Sequence, residues 1–184
     1  MHTLKSGINR WVLLLIALAA LGGCKLFKND SSPGADPGTG TLPTLSQPPY
    51  LVGNNGTNGY ELWTTDGTDA GTVMVKDINP AGDSSPYELT EANGALYFTA
   101  NDGTNGRELW KTDGTEAGTV MVKDIHSTGS SWPGYFVIIN GVLYFNADDG
   151  INGGELWTTD GTGAGTVMVK DINPGAGSGV YISD

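Results

Sequence analysis

The sequence predicts an all-β repeat array, and three observations predict it. The phrase ELWTTDGTDAGTVMVKDI at residues 61–78 returns nearly unchanged from Glu108 and again from Glu155, at a spacing of 47 residues each time. A repeat of about 20 to 50 residues marks a solenoid, a propeller or another array. Short apolar runs are punctuated by Asn-Gly and Asp-Gly turns, as in hairpins. Beyond residue 50 no helical period of apolar residues is present.

The chain of 184 residues opens on an address rather than a fold. Lys5 and Arg10 precede the apolar run WVLLLIALAALGG, from Trp11 to Gly23. That run is too short to span a bilayer but has the length of a signal-peptide core. Leu21-Gly22-Gly23-Cys24 resembles a bacterial lipobox, and Cys24 is the only cysteine in the sequence. The expectation is a lipoprotein signal peptide at 1–23 and an acylated Cys24, which accounts for a lone thiol in an exported chain. An ordinary secretory signal with a fortuitous cysteine is the alternative. Lys25 in place of an acidic residue resembles the outer-membrane sorting pattern, so the expected location is the bacterial cell envelope, lipid-anchored in the outer membrane or at the cell surface.

Residues 24–49 then read as the lipidated cysteine and a flexible tether rich in Pro, Gly, Ser and Thr. Such a chain reaches roughly 28 Å. From residue 50 onward five basic residues face eighteen acidic ones, a net charge of −13. This argues against nucleic acid and against an anionic lipid surface as partners of the folded part, leaving cations, neutral glycans or basic proteins.

Within the unit from Tyr87 to Ile125, YELTEA and ALYFTA flank Asn93-Gly94, a dipeptide suited to a two-residue hairpin. NDGTNG leads into RELWKT, and DGTEAGT turns the chain into VMVKDI. The result is a four-stranded antiparallel meander of the size of a β-propeller blade. Alternation puts Leu109 and Trp110 on opposite faces and sets Met121 against Val120 and Val122. Apolar groups on both faces suit a sheet covered on both sides. A parallel β-solenoid is the competing architecture. The units fall at about 50–85, 86–132 and 133–184.

ELWTTDGTDAGT, ELWKTDGTEAGT and ELWTTDGTGAGT resemble the ELWxxDGT repeat family of bacterial exported and surface proteins. The resemblance covers residue 50 to the end. It implies a propeller-like fold and a compartment, and it supplies no catalytic residues.

YLVGNN at Tyr50 aligns with YFTAND at Tyr97, so the first unit is expected to begin at its second strand. GVYISD at the end aligns with a first strand. Three blades are fewer than the roughly four to eight of most propellers. Two expectations follow: a homodimer that closes a six-bladed ring, or a piece of a longer array with open edges.

Asp102, Asn105, Asp148, Asp149 and Asn152 cluster oxygen donors of the kind a calcium ion takes. The ordinary reading of these residues is as turn formers, and none matches an EF-hand spacing. Asp66, Asp113 and Asp160 open the DGT turns and are expected to fix them by accepting backbone N–H groups. Trp63, Trp110 and Trp157 are expected to pack between blades, an aromatic platform for sugars being the alternative.

Residues that break the repeat are few: Arg107, His126 and Trp132. His126 has no sequence partner that marks a nucleophile, dyad or metal triad, and no phosphate-binding loop is present. No enzyme and no cofactor are expected. The expected function is a lipid-anchored binding, adhesion or scaffold module for a glycan or a protein. A truncated structural fragment of a longer repeat protein and, behind it, a glycan-processing enzyme involving His126 or Glu88 are the alternatives.

Overall fold

The computed structural model describes residues 49–180. Residues 1–48, which hold the expected leader, Cys24 and all but the last residue of the expected tether, and the last four residues lie outside the described residues. Eleven strands form three antiparallel sheets, and no helix is present among the described residues. Sheet 1 holds β1 (Tyr50–Asn54), β2 (Tyr60–Thr64) and β3 (Val73–Lys76). Sheet 2 holds β4 (Tyr87–Ala92), β5 (Ala95–Asn101), β6 (Arg107–Thr112) and β7 (Val120–Lys123). Sheet 3 holds β8 (Gly134–Ile139), β9 (Val142–Asp148), β10 (Gly154–Thr159) and β11 (Val167–Lys170). Each sheet is a simple meander, none closes on itself, and among the described residues sheet 1 starts at the strand that aligns with β5, as the alignment predicts.

The turns follow from local chemistry. Asn93 and Gly94 sit at φ of 52° and 78°, and Asn140 and Gly141 at 52° and 80°, the left-handed pair that a two-residue hairpin requires. Between β6 and β7 the pairing steps from Leu109–Lys123 to Trp110–Met121, so Val122 is an extra residue in a bulge. The same step occurs at Leu62/Trp63 and Leu156/Trp157.

The bulge sorts the apolar groups onto two faces. Leu62, Val75 and Ile78 of sheet 1 pack with Leu96, Phe98, Ala100 and Trp110 of sheet 2. Tyr97, Leu109, Val122 and Ile125, on the other face of sheet 2, pack with Leu143, Phe145, Ala147 and Trp157 of sheet 3. One interface is therefore built twice, and sheet 2 is covered on both sides. Lys76 Nζ donates to the Thr119 carbonyl at 2.9 Å, and Lys123 Nζ donates to the Thr166 carbonyl at 2.8 Å. Each lysine thus ties its strand to the turn of the next sheet.

Three carboxylates lie wholly inside this structure. Glu61, Glu108 and Glu155 are 0% exposed. Glu61 accepts the Ile78 and Ser84 N–H groups, each at 3.0 Å, and the Ser84 hydroxyl at 2.6 Å. Glu108 accepts the equivalent donors of Ile125 and Ser131. Burial pushes the Glu108 carboxyl up, and the Ser131 and Ile125 donors pull against it. Glu155 accepts the N–H groups of Ile172 at 3.1 Å and Gly179 at 2.8 Å, with no hydroxyl in the third place. The loop after Ile172 thus carries one residue more than its counterparts, so Ser178 instead bonds the Gly154 N–H. The repeat alignment that runs unbroken to Ile172 shifts there by one position.

Candidate functional site

The first strands of sheets 2 and 3, β4 and β8, approach each other and leave a cleft of about 520 Å³ at their entry. Its walls depend on an unusual backbone. Ser85, Glu88, Trp132 and Tyr135 have φ between 45° and 57°, and all four line this cleft. The other non-glycine residues with positive φ among those described are the hairpin residues Asn93 and Asn140. Residues with a Cβ enter this region at a cost of about 1–3 kcal/mol each and do so where the surroundings fix them. Pairing also slips between Tyr87 and Thr90 and between Gly134 and Val137, so each first strand enters through a bulge that re-aims its side chains.

The outcome is a group of outward rings around a fixed cation. Tyr87, Trp132 and Tyr135 are 66%, 67% and 48% exposed. Arg107 Nη1 donates to the Ser85 carbonyl at 2.8 Å, and the guanidinium carbon stands 5.6 Å from the centre of the Trp132 ring. Burial lowers the Arg107 pKa, and the hydrogen bond and ring hold its planar head in one orientation. Thr99 is part of the lining, 1% exposed, and its hydroxyl is sealed from solvent with no hydrogen-bond partner among the described residues. Glu88 is the one carboxylate of the lining.

The residues that break the repeat divide between this cleft and elsewhere. Arg107 and Trp132 meet in it, with Glu88. His126 does not: its ring packs against Gly150 in the β9–β10 loop, where a Cβ on the glycine would lie 2.6 Å from Nε2. Glu88 and His126 are therefore not brought together.

The calcium candidates sit in the β5–β6 and β9–β10 loops. Asp102 Oδ1 accepts the N–H groups of Thr104 and Asn105 at 2.9 and 2.7 Å, and Oδ2 accepts the Asn105 side-chain amide at 2.7 Å. Asp149 repeats the pattern with Ile151 and Asn152, and Asp148 accepts the Gly150 N–H. Partial burial pushes Asp102 and Asp149 up, but these N–H donors outweigh it and hold both below the ordinary carboxylate value. In sheet 1 Asn55 replaces the aspartate, and the direction reverses: Asn55 donates to Asn58, whose amide then donates to Asp77. No group of three or more His, Cys, Asp or Glu side chains is placed to hold a metal among the described residues.

The DGT turns show why the phrase DGTxAGT recurs. Asp66 Oδ1 accepts the N–H and hydroxyl of Thr68 at 2.9 and 2.7 Å, and the Thr68 hydroxyl accepts the Gly71 N–H at 2.9 Å. The Thr68 hydroxyl holds Asp66 below its ordinary value. Asp113 and Asp160 repeat these bonds with Thr115 and Thr162. Any Cβ at Gly71 would collide with the Asp66 carboxylate, so the second glycine is needed for close approach.

Trp110 and Trp157 lie in the two packed interfaces. Trp63 is half-buried on the outer face of sheet 1 and donates from Nε1 to the Gly53 carbonyl at 3.0 Å. Reading by sequence missed the buried glutamates and the contributions of Tyr87, Thr99 and Tyr135 to the cleft. A glutamate retained in three copies at one strand position was a signal for the first, but nothing local marked the others. No family model, no curated protein and no solved structure matches this chain.

Proposed function

We propose that this chain is a lipid-anchored protein of the bacterial envelope, of the ELWxxDGT repeat type, whose sheets are blades of a propeller-like array and whose cleft between β4 and β8 binds a neutral glycan. The cleft carries this reading. Three exposed rings offer faces on which the apolar sides of pyranose rings stack. Arg107 and Glu88 offer donors and acceptors to sugar hydroxyls. The charge of −13 from residue 50 onward disfavours polyanionic chains. The leader and Cys24 support the address, since acylation holds a protein to a membrane without a spanning helix.

The reading is of a binding module. Glycoside hydrolysis generally uses two carboxyl groups flanking the bond, and the cleft lining carries Glu88 alone. Titration of neutral oligosaccharides against the intrinsic fluorescence of the full chain tests it. Binding that quenches tryptophan emission and weakens at least about tenfold in Trp132→Ala is the expected result, as for an aromatic anchor. A panel of neutral glycans without any binder, or a basic protein that competes for the cleft instead, overturns it. For the anchor, radiolabelled palmitate incorporated by cells and lost in Cys24→Ser is the expected result.

A further inference from the structure

The interface between neighbouring sheets has two unlike halves, and each is left open once. The Leu-Val-Ile half of sheet 1 and of sheet 2 is covered, with Val75, Val122, Ile78 and Ile125 all 5–7% exposed. Its third copy, on sheet 3, is uncovered: Val169 and Ile172 are each 49% exposed. The opposite half on sheet 1 is Leu51, Gly53 and Trp63, which stand in repeat register with Phe98, Ala100 and Trp110. These are half-buried where their counterparts are buried.

Polar contacts leave the same remainder. Lys76 and Lys123 bond the turn carbonyls of Thr119 and Thr166. Continuing that register leaves Lys170, which is exposed, at one end and the Thr72 carbonyl at the other. The Tyr50 hydroxyl approaches Gly114 and the Tyr97 hydroxyl approaches Gly161, at 2.9 and 2.5 Å from where a Cβ would stand. The third tyrosine of this register is Tyr144, and the third glycine is Gly67, beside which nothing lies within 4 Å. Asn79 packs on Gly103 and His126 on Gly150, while Gly56, their counterpart in sheet 1, is likewise open.

We propose that the outer face of sheet 3 docks on the outer face of sheet 1 of a second copy of this chain, repeating the internal interface between molecules, with Lys170 reaching the Thr72 carbonyl and Tyr144 reaching Gly67. The contact is heterologous, joining unlike faces, so it builds rings where the rotation closes and filaments where it does not. The second copy is the occupant because the open faces match each other in side chains, lysine and acceptor, and tyrosine and glycine. This inference is independent of the glycan reading.

Two measurements on the full chain in non-ionic detergent test it. Sedimentation should show mass rising with concentration, and Val169→Asp, an exposed position, should move the association midpoint upward by about tenfold or more because it places a charge in the contact. A single-chain mass at every concentration overturns the proposal. In the second, chains carrying Lys170→Cys are mixed with chains carrying Thr72→Cys and treated with a short bismaleimide, with the unsubstituted chain as control for Cys24. A mixed adduct much stronger than either chain gives alone is expected. Adducts of Lys170→Cys chains with themselves alone would mean like faces meet, and would overturn the head-to-tail arrangement.

Discussion

VMVKDI is spelt identically at residues 73–78, 120–125 and 167–172, yet the three copies live in different surroundings. In the first two, the second valine and the isoleucine are buried; in the third, both are about half exposed, at 49% each. The strand, bulge and DGT turn form alike in all three, because they depend on residues within the unit. Burial depends on the neighbour. Local chemistry thus shapes each sheet, and stacking supplies most of the apolar stabilisation, as in other arrays where each repeat is stabilised by the next.

The largest effect that would sharpen this contrast comes from the buried glutamates. Glu108→Ala removes the acceptor of two N–H groups and a hydroxyl inside the covered sheet, and we expect a loss of about 3–5 kcal/mol in urea unfolding. Glu155→Ala removes the acceptor of two N–H groups beside the half-exposed Ile172, and about half that loss is expected. Equal losses at both sites would break the distinction between covered and open sheets.

Next in size is the isoleucine pair. Ile125→Ala should cost about 2–5 kcal/mol as a core truncation. Ile172→Ala, measured at dilution, should cost under about 1 kcal/mol, because half of that side chain is already in water. Chemical denaturation of the two variants in parallel checks the difference.

A smaller effect concerns pH, and here the sheets should behave alike. Asp66, Asp113 and Asp160 are all held low by their threonines, and Asp102 and Asp149 by loop N–H groups that outweigh burial. A lowered carboxyl contributes stability that is present above its unfolded value of 3.8 and is lost as pH falls through its folded value. Glu108, raised by burial, runs the other way: its contribution is full below 4.5 and is lost as pH rises through its folded value. Five groups act against one, so melting temperature should fall on acidification from about pH 6 to about pH 2. A profile that rises on acidification would mean that Glu108 dominates.

The smallest expected effect is that of calcium. The loop carboxylates of Asp102 and Asp149 already accept three hydrogen bonds each, so added calcium should leave the melting temperature unchanged. A clear rise that vanishes in Asp149→Asn would contradict this.

Much of the sheet architecture was legible in the residues. Asn93-Gly94 announces its hairpin because few other pairs take two positive φ angles, and the alignment of Tyr50 with Tyr97 announces a sheet of three strands among the described residues. The role of Glu108 was not legible, because a glutamate in a strand ordinarily faces water, and its hydroxyl donor Ser131 lies 23 residues away. The cleft was half legible. Arg107 and Trp132 stood out as departures from the repeat, whereas Tyr87 and Tyr135 are exposed beside bulges whose positive-φ residues, Glu88 and Tyr135, are not glycines. The shift at Gly179 was hidden because a one-residue insertion in a Gly-rich loop leaves no mark in the strand pattern.

The most direct test is amide hydrogen exchange over the three VMVKDI segments, at concentrations low enough to keep single chains. Strong, similar protection is expected at residues 73–78 and 120–125 and faster exchange at 167–172, since the strand pairing is the same and only the cover differs. Equal protection in all three would contradict it, because sheet 3 would then have a cover that the single chain does not show.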